Sequence, residues 1–303
     1  DNNVSIYYTL DGSFPDDSST LYATIDANGN IAFDTQENIN ISSTTVIKAI
    51  AYSTNTSFLP SFTETNTYFI NESHGVVVLS IAGQQVDNLL NGNGWLRPLG
   101  SFELFDESGI LIDEAVGEFN EHGNDSWAYD QRGFDYVMRD QFGYNYALQD
   151  KLFMTKDRDK FQRVIVKAAA NDNYPFSYGG SGAHIRDAYV HHLSQIANLR
   201  LDERSTSSCI LYLNGDYWGV YEMREKVDDS DFLSYYYDQD EIFPGSAEHI
   251  QYLKTWGGTW TEYGWPNAQP DWDNFVNFVA TNPMVNQVNY NQAKSEYNMG
   301  SLI

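Results

Sequence analysis

Residues 211–233 read LYLNGDYWGVYEMREKVDDSDFL: an aromatic strand, a turn, and a second strand that ends in charge. Asn214-Gly215 is the strongest short turn signal in the chain, because a type I′ hairpin needs positive φ at both central positions. A two-residue loop sets Leu213 against Asp216, Tyr212 against Tyr217 and Leu211 against Trp218. Period-two alternation then predicts Tyr217, Gly219, Tyr221, Met223 and Glu225 on one face, with Trp218, Val220, Glu222 and Arg224 on the other. Gly219 leaves a gap between Tyr217 and Tyr221 that a backbone or a ligand can approach. Glu225 ends that face and Lys226 follows it. Asp228, Asp229 and Asp231 stand where a helix over DSDFLSYYYD, residues 229–238, would be capped. The charges at the strand end have two readings, a solvated terminus or the mouth of a site.

The whole chain narrows the choice. It has 303 residues, enough to bury a substantial core. Against 42 acidic residues there are 17 Lys and Arg, a formal net charge of -25, so repulsion from phosphate argues against a nucleic-acid partner. An acidic surface of this kind fits a secreted or salt-exposed protein, or one that holds divalent cations. Cys209 is the single cysteine, so no disulfide can form within the chain, and its apolar neighbours read as a buried structural thiol. No run approaches the roughly 20 apolar residues of a membrane span. The first residue, Asp1, is not a natural start, and KSEYNMGSLI at the end reads as the beginning of a helix; the expectation is a piece of a longer protein.

Residues 1 to about 73 alternate as short strands separated by DGSFPDDSS and DANGN, which predicts a small β-sandwich. The boundary falls at 70–75. Strands follow at 76–83, 100–123, 132–143 and 161–172. The period then changes: Ile185, Ala188, Tyr189, Leu193 and Ile196 recur at helical spacing, and DWDNFVNFVATN at 271–282 is a second helix with Asp271 as its cap. Strands first and helices later give an α+β chain.

Two resemblances attach to these stretches. IYYTLDGSFPDDSSTLY followed by STTVIKAIAY resembles the chitobiase/β-hexosaminidase C-terminal module, an immunoglobulin-like β-sandwich that implies no catalysis. ILYLNGDYWGVYEMREKVD resembles the hairpin of the CotH kinase family. EHGNDSWAYDQRGFDYVMRDQFG and RVIVKAAANDNYPFSYGGSGAHIRDAYVHHL resemble two further segments of that family in the expected order, so the likeness covers about residues 75–303. The division is a sandwich module over 1–73 and a CotH kinase-like domain over 74–303, an atypical protein-kinase-like α+β domain. The resemblance implies a secreted kinase that binds ATP with Mg2+ or Mn2+ and phosphorylates Ser or Thr of an extracellular protein. Phosphoryl transfer needs cations on the phosphates, carboxylates for the metal and a base for the acceptor. On this reading Glu225, Lys167 and Asp172 are catalytic. Arg132, Asn171, Arg186 and Lys226 bind the cofactor, with Arg132 or Lys167 as the partner of Glu225. The family's basic pair is Gln131-Arg132 here and its leading Arg is His122. Its metal-holding Asp-x-Asp segment would lie beyond Ile303, so no activity is expected of the chain as given, and the lost lysine leaves room for a pseudokinase.

Plainer readings compete. Arg186 and Asp187 read first as a structural ion pair or exposed helix charges, and Asp228, Asp229 and Asp231 as caps. His184 and His191 share a helical face but stand about 10.5 Å apart, too far for one ion. YGGSG, residues 178–182, precedes a helix but lacks a Walker lysine, so a flexible loop is preferred over an anion site. DANGN has alternate oxygen ligands, as structural Ca2+ loops do, but lacks the closing Glu, so a β-turn is preferred. Trp256, Trp260, Trp265 and Trp272 crowd a Gly-punctuated stretch, and packing is preferred slightly over exposed, sugar-stacking rings. Five Asn-x-Ser sequons, at Asn3, Asn40, Asn55, Asn71 and Asn124, arise by chance in so Asn-rich a chain. The alternative function is a non-enzymatic extracellular or surface adhesion protein, with the kinase-like fold as scaffold and modules that bind a surface glycan or a partner.

Overall fold

The computed structural model describes residues 3–35, 37–173, 182–199, 201–228, 230–237, 251–264 and 266–297. Residues 178–181 of the Gly-rich stretch, Asp229, Trp265 and residues 298–303 lie outside that set. The chain is mixed α+β and divides into two compact units. One is residues 1–188 with 205–225, and the other is 189–204 with 226–303.

In the first unit, β1 (Val4–Thr9), β2 (Thr20–Ile25), β3 (Ile31–Phe33), β4 (Thr45–Ser53) and β5 (Glu64–Tyr68) form one antiparallel sheet in the order β3-β2-β1-β4-β5. The expected sandwich is thus a single sheet among the described residues. Its edge strand β5 buries Thr65 and Thr67 and exposes Glu64, Asn66 and Tyr68. DANGN is the turn between β2 and β3, where Asp26 Oδ1 accepts from Asn28 N and Asn30 N at 2.8 and 2.9 Å.

Seven further strands close into a barrel, which the sequence reading did not foresee. They are β6 (Val78–Ala82), β7 (Leu99–Phe105), β8 (Leu111–His122), β9 (Gly133–Met138), β10 (Arg163–Lys167), β11 (Thr206–Leu213) and β12 (Asp216–Glu225). Around the barrel the order is β10-β12-β11-β6-β7-β8-β9. Every pair is antiparallel except β11 with β6. Alternate residues turn inward, among them Leu79, Phe102, Phe119, Phe134, Met138, Val164, Val166, Tyr221 and Met223, and helix α1 (Val86–Leu90) adds Val86, Leu89 and Leu90 to the same core. Burying each such side chain is worth about 1.5–3 kcal/mol. Cys209 lies in this core, and burial pushes its thiol pKa far up, as a structural thiol requires.

The hairpin β11–β12 has the expected turn, with φ +52 at Asn214 and +90 at Gly215. Leu213 faces Asp216 and Tyr212 faces Tyr217, but the register then shifts and Leu211 faces Gly219. The extra residue is Trp218. This bulge exchanges the predicted faces at the turn end: Trp218 packs on the barrel core with Tyr221, whereas Tyr217 is 57% exposed. The turn itself abuts the first sheet. Asn214 Oδ1 accepts from Gly83 N at 2.9 Å, and a Cβ on Gly12 would lie 2.2 Å from that same oxygen. Three further bonds join sheet and barrel. Thr67 donates from N and Oγ1 to Glu103 at 3.0 and 2.6 Å, and Lys48 Nζ donates to Ala82 O at 2.8 Å.

The second unit holds α3 (Ser230–Tyr237), the hairpin β13 (Tyr252–Thr255) with β14 (Thr259–Tyr263), α4 (Ala268–Thr281) and α5 (Gln287–Glu296). Helix α2 (Arg186–Ile196) lies between β10 and β11 in sequence; Arg186–Ala188 counts with the first unit and the rest with the second. Two expectations are corrected here. The tryptophan stretch is a strand pair rather than a loop, and Trp256 is 73% exposed rather than packed. Helix α4 starts at Ala268, before the expected cap Asp271.

Candidate functional site

Strands β10 and β12 lie side by side with Lys167 opposite Glu222, Ile165 opposite Arg224 and Val164 opposite Glu225. Val164 and Val166 point into the barrel with Tyr221 and Met223, so alternation turns Lys167, Glu222 and Arg224 to the outer face. That face is covered: Arg224 is 0% and Glu222 5% exposed.

The cover includes the first turn of α2. Asp187 Oδ2 stands 3.1 Å from Lys167 Nζ and also accepts from Arg224 Nη1, while Arg224 Nη2 donates to Glu222 Oε1. The result is a chain of alternating charge, Lys167–Asp187–Arg224–Glu222. Burial raises the Asp187 pKa, but the Arg224 and Lys167 cations outweigh it and hold the carboxyl well below its ordinary value. Burial and the neighbouring Arg224 charge lower the Lys167 pKa, against the pull of Asp187 and Glu222. Burial raises the Glu222 pKa, opposed by Arg224.

A second carboxylate places that helix. Asp172 accepts from the backbone N–H groups of Ala183, Ile185 and Arg186 at 2.8, 3.0 and 3.0 Å, and Arg186 Nε lies 3.0 Å away. A carboxylate on the free N–H groups of a helix start is favoured by geometry and by the helix dipole. Although burial opposes it, these bonds keep the Asp172 pKa below its ordinary value. Between Lys167 and Asp172, Ala169 and Ala170 have φ +56 and +50, a region that costs a non-glycine residue about 1–2 kcal/mol. Such strain persists where the surroundings over-determine the backbone. Here they do, because strand β10 ends at Lys167 and the chain must reach the cap within five residues.

The remaining expected site residues scatter. Glu225 is 0% exposed and does not pair with Lys167 or Arg132. It accepts from Arg158 Nη1 at 3.3 Å and Ser205 N at 3.0 Å, with Lys156 Nζ 3.9 Å away. The expected partnership fails because residues three apart on a strand point to opposite faces: Glu225 lies inward at the barrel end and Glu222 outward beside Lys167. Arg132 donates to Trp127 O at 2.9 Å and Leu90 O at 3.1 Å, tying the end of α1 to the turn at 125–128. Asn171 is exposed in the short 3-10 turn Ala170–Asp172. Lys226 belongs to the second unit, where it lies 3.3 Å from Asp228 Oδ1; Lys254 also donates to Asp228. The gap at Gly219 is filled by a side chain of the chain itself. A Cβ there would lie 2.2 Å from Gln131 Nε2, and Gln131 Oε1 accepts from Asn173 at 3.0 Å.

Sequence reasoning missed Arg158 altogether and set Asp187, Glu222 and Arg224 aside. The alternation of Glu222 and Arg224 on a strand otherwise apolar and aromatic was a usable signal, since one face of that strand had to leave the core. Asp187 carried no local signal, because its partners are 20 and 37 residues away.

A family model described as CotH kinase protein matches residues 122–299, more than half of the chain. A second, described as Chitobiase/beta-hexosaminidase C-terminal domain, matches residues 1–59. No curated protein matches.

Proposed function

The chain belongs to the CotH kinase protein family, and on that premise we propose that it transfers the γ-phosphoryl group of ATP to a serine or threonine of an extracellular protein. The observation that carries this reading is the contact of Lys167, on a barrel strand, with Asp187, in the first turn of the next helix. Protein kinases hold their phosphate-binding lysine in the same way, by pairing a strand lysine with a helix acid.

The residues fit the phosphate part of a nucleotide. Lys167 and Arg224 share the Asp187 carboxylate, with Arg224 covered behind it, and Arg186, 65% exposed in its side chain and one residue before Asp187, is the cation of this group open to a phosphate. Asp187 orients the Lys167 ammonium, and Glu222 holds Arg224 so that its charge stays in place without induced rearrangement. Bound ATP supplies the phosphoryl group. The chain's own part is positioning and charge stabilisation, the main needs of this reaction. Asp172, expected as catalytic, acts here through the helix start and is a positioning residue. The fit does not extend to the metal: among the described residues no three His, Cys, Asp or Glu groups converge to hold an ion. No step is therefore routed through Mg2+ or Mn2+. The acidic composition supports an extracellular setting.

The test is ATP binding and phosphoryl transfer by the whole chain. Wild type should show an ATP-dependent rise in thermal midpoint and label a Ser/Thr-rich protein such as casein from γ-labelled ATP, and Lys167→Met should abolish both. No thermal shift with wild type, with or without Mg2+ or Mn2+, overturns the kinase reading in favour of a scaffold.

A further inference from the structure

The first sheet and the barrel form a cleft away from Lys167 and independent of the phosphoryl-transfer reading. It lies between edge strand β5 and strands β7 and β8 and is open to solvent. We propose that this cleft binds one neutral sugar unit of a glycan.

Three observations support this occupant. At the mouth, the Tyr144 ring is 71% exposed and meets Phe62, itself 41% exposed, edge to face at 4.8 Å. An exposed ring pair held in a fixed angle is the apolar platform that the C–H face of a sugar needs. On the walls, Glu64 and Glu114 face the same space, and Asn145 Nδ2 donates to Glu114 O at 2.7 Å, which keeps its amide oxygen as an acceptor. Burial and the Glu64 charge both raise the Glu114 pKa, so the two carboxyls feel one another. Hydroxyl donors satisfy such a pair without adding charge. On the floor, Thr65 is 5% exposed and its Oγ1 has no hydrogen-bond partner among the described residues. A buried hydroxyl left unpaired within a cleft is a place for a ligand hydroxyl.

The same features argue against the other occupants. A uronic or sialic acid would bring a carboxylate to Glu64 and Glu114. A divalent cation would want three converging carboxylates; Glu103 also lines the cleft, but it already accepts from Thr67 N and Oγ1, and no three acidic groups converge among the described residues.

The experiment is saturation-transfer NMR followed by calorimetric titration of the whole chain with glucose, galactose, N-acetylglucosamine, galacturonate and Ca2+. At least one of the three neutral sugars should bind saturably at millimolar concentration, and galacturonate should not. Tyr144→Ala, on an exposed side chain that folding does not need, should weaken binding about tenfold, and Thr65→Val and Glu114→Gln should weaken it as well. Absence of binding by all three neutral sugars overturns the proposal. Binding indifferent to both Tyr144→Ala and Glu114→Gln, or equal binding of galacturonate, does the same. Ca2+ binding that Glu114→Gln removes, with no sugar bound, would replace the sugar by a cation.

Discussion

Asp187 Oδ2 lies 3.1 Å from the Lys167 ammonium and accepts from the Arg224 guanidinium as well, so one half-exposed carboxylate holds two cations on the outer wall of the barrel. The cations come from neighbouring strands and the carboxylate from the helix that follows one of them. Losing the carboxylate therefore leaves Arg224, 0% exposed, with Glu222 alone and lets Lys167 swing.

Asp187→Asn should lower phosphoryl transfer by roughly 100-fold, the scale of removing one preorganised electrostatic group. Because Asp187 is 47% exposed in its side chain, solvent screens its pairs and the loss in folding stability should fall below the about 3–5 kcal/mol of breaking a fully buried pair. The pH dependence has a fixed sign. A folded pKa held below the ordinary 3.8 gives stability that is present above that value and is lost as pH falls below it. Thermal midpoints between pH 5 and 2 should fall more steeply for wild type than for Asp187→Asn.

Glu225→Gln keeps an acceptor for Ser205 N but removes the counter-charge of Arg158, which is 1% exposed. Removing one partner of a buried ion pair costs about 3–5 kcal/mol. Guanidinium denaturation followed by circular dichroism should show that loss. A loss below about 1 kcal/mol would mean that Arg158 finds another partner or water.

Lys48 is a buried cation whose main effect is unfavourable. Burial lowers its pKa to about 7, against the pull of Glu103 and Asp11. The folded state therefore holds fewer protons than the unfolded chain between pH 7 and 10.5, and stability rises with pH across that window. Lys48→Met removes this term. The variant should gain most over wild type at pH 6.5 and least at pH 10, measured as the difference in thermal midpoint. A constant difference across that range would refute the assignment.

Gly219 has φ +136 and carries the Gln131 amide where a Cβ would stand. Gly219→Ala should destabilise by about 1–3 kcal/mol through backbone strain alone, with a further steric part. Adding Gln131→Ala should recover the steric part only. A double-mutant cycle separates the two, with a coupling of roughly 0.5 kcal/mol or more expected for groups in contact.

Much of the secondary structure was legible from local pattern. Asn214-Gly215 made a turn because positive φ at two successive residues is a local demand, and Cys209 was inside because its own strand alternates. Strand and helix stretches followed from periods of two and 3.6. The order of the hairpin faces was legible only up to the bulge at Trp218, since a one-residue insertion needs a partner strand to reveal it.

Of the site, the sequence by itself determined the strand that carries Lys167, the helix that begins near Arg186 and the hairpin that ends at Glu225, because each depends on neighbours within a few residues. Only the tertiary structure decided that Lys167 meets Asp187 rather than Glu225. With 17 basic and 42 acidic side chains, almost any ion pair could be written down. The choice among them rests on closing seven strands into a barrel, which turns Glu222 and Arg224 outward to the helix and seals Glu225 within, against Arg158. Strand pairing of that kind joins residues far apart in the chain, and its register is set by the packing of the whole core, so no local stretch contains it.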